Sequence, residues 1–112
     1  MSVSAQVLDG IYGRPAVGIR ARLERTAEAG WEHISTAETD TDGQINEWTR
    51  EQMEGGPYRI VFDSDRYFAC LGIDAAYPEI AVIFRARGGA RTCHIQVLLT
   101  PYSYSMYFGT RA

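Results

Sequence analysis

Three segments of this chain alternate in side-chain character residue by residue, and that period of two constrains the fold more than any other feature. In "VGIRARLER", Val17, Ile19, Ala21 and Leu23 interleave with Arg20, Arg22 and Glu24. In "TCHIQVLLT", Cys93, Ile95 and Val97 stand opposite His94, Gln96 and Leu98, and in "VSAQVLD" Gln6 and Leu8 form a similar stripe. Successive side chains of a strand point to opposite faces, so each segment has one face for a core and one for water or a partner. The segments "WEHIST", "YRIVFD", "EIAVIFRA" and "YSYSMYF" also read as strands. Turn chemistry separates them: Gly10, Gly13, Pro15 and Gly18, then Asp42-Gly43, Gly55-Gly56-Pro57 and Gly88-Gly89. Ser64 is expected to cap a short helix through "DRYFACLG", with Gly72 as its stop. The expectation is an all-β, two-sheet sandwich of roughly eight strands with one short helix, in a single domain over residues 1–112.

A chain of this length buries roughly two thirds of its unfolded surface, enough for a core without staples. Apolar residues make up 46% and no apolar run nears the ~18 residues of a membrane span. The start, "MSVSAQVLDG", has neither the basic segment nor the apolar centre of a secretory signal, so a cytoplasmic location is expected. Net charge is −3 with scattered arginines, which argues against nucleic acid as a partner because phosphate binding needs a concentrated basic face. Cys70 and Cys93 lie in apolar surroundings and are expected to be reduced, buried thiols. Glu38, Asp40 and Asp42 crowd one loop without a nearby histidine or the order of a calcium loop, so no metal and no cofactor is implied. His33 reads as a surface histidine at a strand edge.

Read in order, four stretches resemble the transthyretin and 5-hydroxyisourate hydrolase family. "VLDGIYGRPAVGIRARL" is similar to its first motif, and "TDTDGQ" sits where the family has Thr-Asn-x-Asp-Gly-Arg. "PYRIVFDSDRYF" matches the strand entering the single helix, and "HIQVLLTPYSYS" is similar to the second motif. The resemblance spans nearly the whole chain. It implies a transthyretin-like eight-stranded sandwich, assembled as a homotetramer (a dimer of dimers) whose channel takes a small molecule. In the hydrolases that channel opens the ring of 5-hydroxyisourate; in transthyretin it carries a hormone without chemistry. Fold alone does not choose between them.

The hydrolase pattern is altered here. The family histidine before Val-Leu-Asp is Gln6, and the arginine closing the Asp-Gly turn is Gln44. His94 is retained, while the proline two residues later is Gln96. In the terminal Tyr-Arg-Gly-Ser motif Tyr107 and Gly109 remain, with Phe108 and Thr110 at the other two positions. Ring opening needs a base for water and donors for the developing oxyanion. Glutamine cannot take the proton, and neither glutamine nor phenylalanine replaces a guanidinium fork. The expected site therefore has His94 as acid or base and Tyr107 as a donor, with Gln6, Leu8, Gln44, Gln96, Leu98, Ser105 and Phe108 against the ligand. Such a surface is polar but nearly uncharged and suits a neutral, partly aromatic molecule. Three readings stay open: an enzyme rebuilt for another small molecule by hydrolysis, cyclisation or isomerisation; a genuine hydroxyisourate hydrolase; and a binding protein without chemistry.

Overall fold

The computed structural model describes residues 2–46, 48, 56–86 and 92–111, without the side chains of residues 86 and 111. Strand β1 (Ser2–Asp9) leads into the two-residue β2 (Arg14–Pro15), followed by β3 (Arg20–Ala27), β4 (Gly30–Glu38) and the short β5 (Gln44–Ile45). Strand β6 (Gly56–Phe62) enters helix α1 (Ser64–Cys70), and β7 (Ile80–Ala86), β8 (Thr92–Leu99) and β9 (Tyr104–Arg111) complete the order. One sheet runs β2-β1-β8-β9, with β5 also pairing β1, and the other runs β4-β3-β6-β7. Every pairing is antiparallel except β1 with β8, which lie parallel from Ser2↔Thr92 to Asp9↔Leu99.

The alternation in the sequence becomes the two sides of each sheet. Val3, Ala5 and Val7 of β1 and Cys93, Ile95, Val97 and Leu99 of β8 are buried at 0–1% exposure. They pack against Leu23, Ile60, Phe62 and Ile80 of the second sheet. At about 25 cal/mol per Å² of apolar surface, this shared layer is the dominant favourable contribution to folding. The Gly88-Gly89 turn lies outside the described residues, as does Gly55.

Local differences from the sequence reading have physical causes. Val17 does not join the core face of β3: it sits in the preceding turn beside Gly18, whose φ is +78°, and is 50% exposed. Ser64 is not a cap. Asp63 holds that position without a side-chain bond, and Ser64 is buried inside the first turn. Gly72 does stop the helix, at φ +75°, with its N–H donating to Ala69 O at 3.0 Å and that of Ile73 to Phe68 O at 2.9 Å. This paired closure needs the left-handed residue that glycine supplies. Cys70 is exposed rather than buried, since it lies two residues, roughly 200° around the helix, from buried Phe68. Cys93 is buried, as expected, and is not in a disulfide. The final strand starts at Tyr104, because Thr100 and Ser103 close a tight turn through Thr100 N–H to Ser103 O at 2.9 Å. No helix among the described residues is long and apolar enough to cross a membrane.

Candidate functional site

On the outer side of the β2-β1-β8-β9 sheet the registers line up side chains in rows. Gln44 of β5 is opposite Gln6 of β1, Gln6 is opposite Gln96 of β8, and Gln96 is opposite Tyr107 of β9. At about 4.8 Å between strands this row is roughly 14 Å long. One step along, Ser4, His94 and Gly109 form a parallel row; on the other side lie Leu8, Leu98 and Ser105. None of these residues carries a fixed charge. Gln6, Gln44, Gln96, Leu8 and His94 are half-buried, whereas Leu98 is 43% and Tyr107 63% exposed.

Local structure explains how each group is held. Gln44 reaches the face because Asp40 Oδ1 accepts N–H bonds from Asp42 and Gln44, each at 2.9 Å, and because Gly43 approaches β1 closely. Gly43 O accepts from Val7 N–H at 2.8 Å, at φ +73°, and a Cβ there would run into the Val7 carbonyl oxygen. Asp40, one of the three loop acids, thus serves the turn. His94 is fixed by Ser4, whose Oγ lies 2.7 Å from Nδ1. With Nδ1 protonated the ring donates to Ser4; with Nδ1 bare the hydroxyl donates to the ring. Tyr107 folds back along its own strand, so that a Cβ at Gly109 would sit 3.0 Å from Tyr107 Cε1 and 3.1 Å from its hydroxyl oxygen. Glycine at 109 therefore lets the phenol lie beside the residue directly opposite His94.

The structure brings together eight of the nine sequence-derived candidates and separates the ninth. Phe108 pairs with Ile95 on the core side of β9, and its ring lies 5.8 Å from that of Phe84. Alternation explains the correction, because the neighbours of Tyr107 must point the other way. An arginine at 108 on this backbone would have to enter the apolar layer. Ser4 is the functional candidate that sequence reasoning missed. Its stripe was readable two residues before Gln6, but its partner depends on the β1–β8 register. His33 is exposed, with Nε2 2.8 Å from Thr36 Oγ1, and takes no part.

The family model described as HIUase/Transthyretin matches residues 3–109. The chain belongs to this family. Among curated relatives, the 5-hydroxyisourate hydrolase of Salmonella typhimurium is 35% identical over 109 residues, covering 96% of this chain and 80% of that protein. The mouse (Mus musculus) 5-hydroxyisourate hydrolase is 32% identical over 111 residues, covering 96% and 94%. Sea bream transthyretin in complex with thyroxine superposes with a TM-score of 0.92 at 29% identity, covering 100% of this chain and 98% of that one. The Klebsiella pneumoniae 5-hydroxyisourate hydrolase gives 0.87 at 24% identity over 97% and 99%, a likeness of fold. The transthyretin-like sandwich expected from the motifs is thus the observed architecture. A hydroxyisourate-hydrolase-like protein of this family carries an imidazole, amides, hydroxyls and leucines on the face just described.

Proposed function

We propose that this protein is a diverged enzyme of the hydroxyisourate hydrolase family that acts by His94 acid/base chemistry on a small, largely neutral organic molecule. The observation that carries the reading is the pair of adjacent rows, one holding an imidazole fixed by Ser4 and the other three glutamine amides and a phenol. His94 would take a proton from water or from the substrate, since a neutral imidazole nitrogen accepts a proton while an amide does not. The Tyr107 hydroxyl and the Gln6, Gln44 and Gln96 amides would orient the molecule and donate to oxygen where charge develops. A neutral substrate follows from the lack of a cation in either row, because an anionic ring would be desolvated without a charged donor.

A flat sheet cannot exclude water by itself. We therefore assign this face to the channel of a homotetramer, where a second copy covers it. The curated relatives named as 5-hydroxyisourate hydrolases favour a second reading, retention of that reaction, and the thyroxine complex of the sea bream protein favours a third, binding alone. Stopped-flow absorbance on freshly generated hydroxyisourate separates the first two: decay close to the spontaneous rate is expected, and rapid loss would establish the second. With the native substrate in hand, His94→Gln should lower turnover by roughly 10²-fold while changing affinity little. Full turnover in that variant would remove His94 from the chemistry, and ligand binding without turnover in the unaltered protein would leave binding as the function.

A further inference from the structure

A second concavity lies where helix α1 crosses the turn between β2 and β3, away from the His94 rows. It encloses about 580 Å³, within the several-hundred-Å³ range of small-ligand pockets. Pro15, Val17, Leu71 and the Tyr67 ring give it an apolar wall, and Val17 is 50% exposed. Arg14, Arg20 and Arg66 also line it, facing the carboxyl groups of Glu38 and Asp63. Three cations against two anions leave an excess positive charge in a partly enclosed space.

The existing partners of Arg20 and Arg66 are weak or absent, whereas Arg14 sits against the Tyr12 ring and the Tyr67 hydroxyl. Arg20 pairs with Glu38 at 3.9 Å, with both side chains more than half exposed, a geometry worth little in water. Arg14 rests over the Tyr12 ring, 4.7 Å from its centroid. Arg66 makes no ion pair among the described residues. The Tyr67 hydroxyl already donates to Asp9 Oδ2 at 2.6 Å, so the guanidinium groups are the charged donors left for an incoming anion.

We propose that this cleft binds a small organic oxyanion, a carboxylate or phosphate monoester carrying an apolar or aromatic body. The guanidinium forks match the planar or trigonal oxygens of such groups, and the body replaces water against Val17, Leu71 and Pro15. Neither apolar wall nor cations alone would select this class. The wall favours any flat apolar molecule, while the arginines reject those without a negative charge.

The test uses three probes of one shape: 4-nitrobenzoate, 4-nitrophenyl phosphate and the neutral 4-nitrobenzamide. Each is titrated into the ¹⁵N-labelled full chain. At least one of the two anions should move the amide signals of Gly18, Arg66 and Leu71, and should bind at least tenfold more tightly than the amide. Preference between the two anions assigns the carboxylate or the phosphate source. The double variant Arg20→Gln/Arg66→Gln should weaken anion binding roughly tenfold, and its signals elsewhere should stay in place because both residues are exposed. Alkylation of Cys70 by iodoacetamide gives an independent readout. Cys70 lines the cleft and is exposed, while Cys93 is 0% exposed, so protection by the anion reports on this site. Equal binding of the amide, no effect of the double variant, or shifts confined to His94 and Gln96 would each overturn the proposal.

Discussion

The outer faces of the two sheets have opposite chemistry although their inner faces are alike. On the β4-β3-β6-β7 sheet, Arg59 Nη2 lies 2.7 Å from Glu24 Oε1, and its guanidinium stacks 4.6 Å from the centre of Trp31. Arg22 pairs with Glu79 at 3.5 Å and Arg20 with Glu38 at 3.9 Å. On the β2-β1-β8-β9 sheet the face consists of amides, hydroxyls, leucines, His94 and Tyr107. Both sheets need an apolar inner face to fold. The outer faces are free of that demand, so one is spent on charge that water tolerates and the other is kept neutral where large residues such as Tyr107 remain exposed. On the proposed function the difference separates stability from activity: the charged face should respond to mutation in melting temperature, and the neutral face in assembly and turnover.

The most drastic way to break this comparison is to charge the neutral face. Leu98→Asp would bury a carboxylate in the proposed contact between copies, so the proposed tetramer should sediment as a smaller species, a dimer or the 12.5 kDa monomer. A tetramer that survives this change would place the contact elsewhere. The next effect belongs to the charged face. Arg59→Ala leaves Glu24, whose side chain is 11% exposed, without its cation. Loss of one member of a largely buried pair costs about 3 kcal/mol. Thermal unfolding should drop by about 10 °C with assembly unaffected.

Tyr67→Phe probes the link between the helix and the end of β1. It removes the hydrogen bond to buried Asp9, whose Oδ1 keeps the N–H bonds from Ile11 at 2.8 Å and Tyr12 at 3.2 Å, so a cost of about 1 kcal/mol is expected. Burial first, then the Asp9 bond and charge, push the Tyr67 phenol from 10.0 to about 12. The folded state therefore holds a proton that the unfolded chain releases. That contribution is complete below pH ~10 and is lost as pH rises through ~12. The variant should show a shallower loss of stability over this window in alkaline denaturation. The smallest effect sharpens the contrast: Arg22→Ala breaks an exposed pair and should change stability by less than ~0.5 kcal/mol, leaving mass and turnover unchanged.

Much of this arrangement was readable from residue order. The alternation in β1, β3 and β8 placed Val7, Leu23 and Ile95 inside and Gln6, Arg22 and His94 outside. Alternation fails where the strand itself ends, at Val17, because the periodic pattern continues into a turn that Gly18 forms. It also carries the correction at Phe108, since Tyr107 and Phe108 cannot share a face. The Ser64 cap was misread because Ser64 and Asp63 both suit that position, and burial against the core decided between them.

Sequence alone determined the two-sheet sandwich, the neutral character of one stripe and the changes at Gln6, Gln44 and Gln96, because a strand's period and a residue's chemistry are local properties. It did not determine which stripes would meet. Ser4 reaches His94 across ninety positions, and Gln44 reaches Gln6 only because Gly43 lets β5 close on β1. The cleft under helix α1 likewise gathers Arg14, Arg20 and Arg66 from three elements. These juxtapositions depend on strand register and on the packing of one element over another, which are set when distant segments bury their apolar faces together.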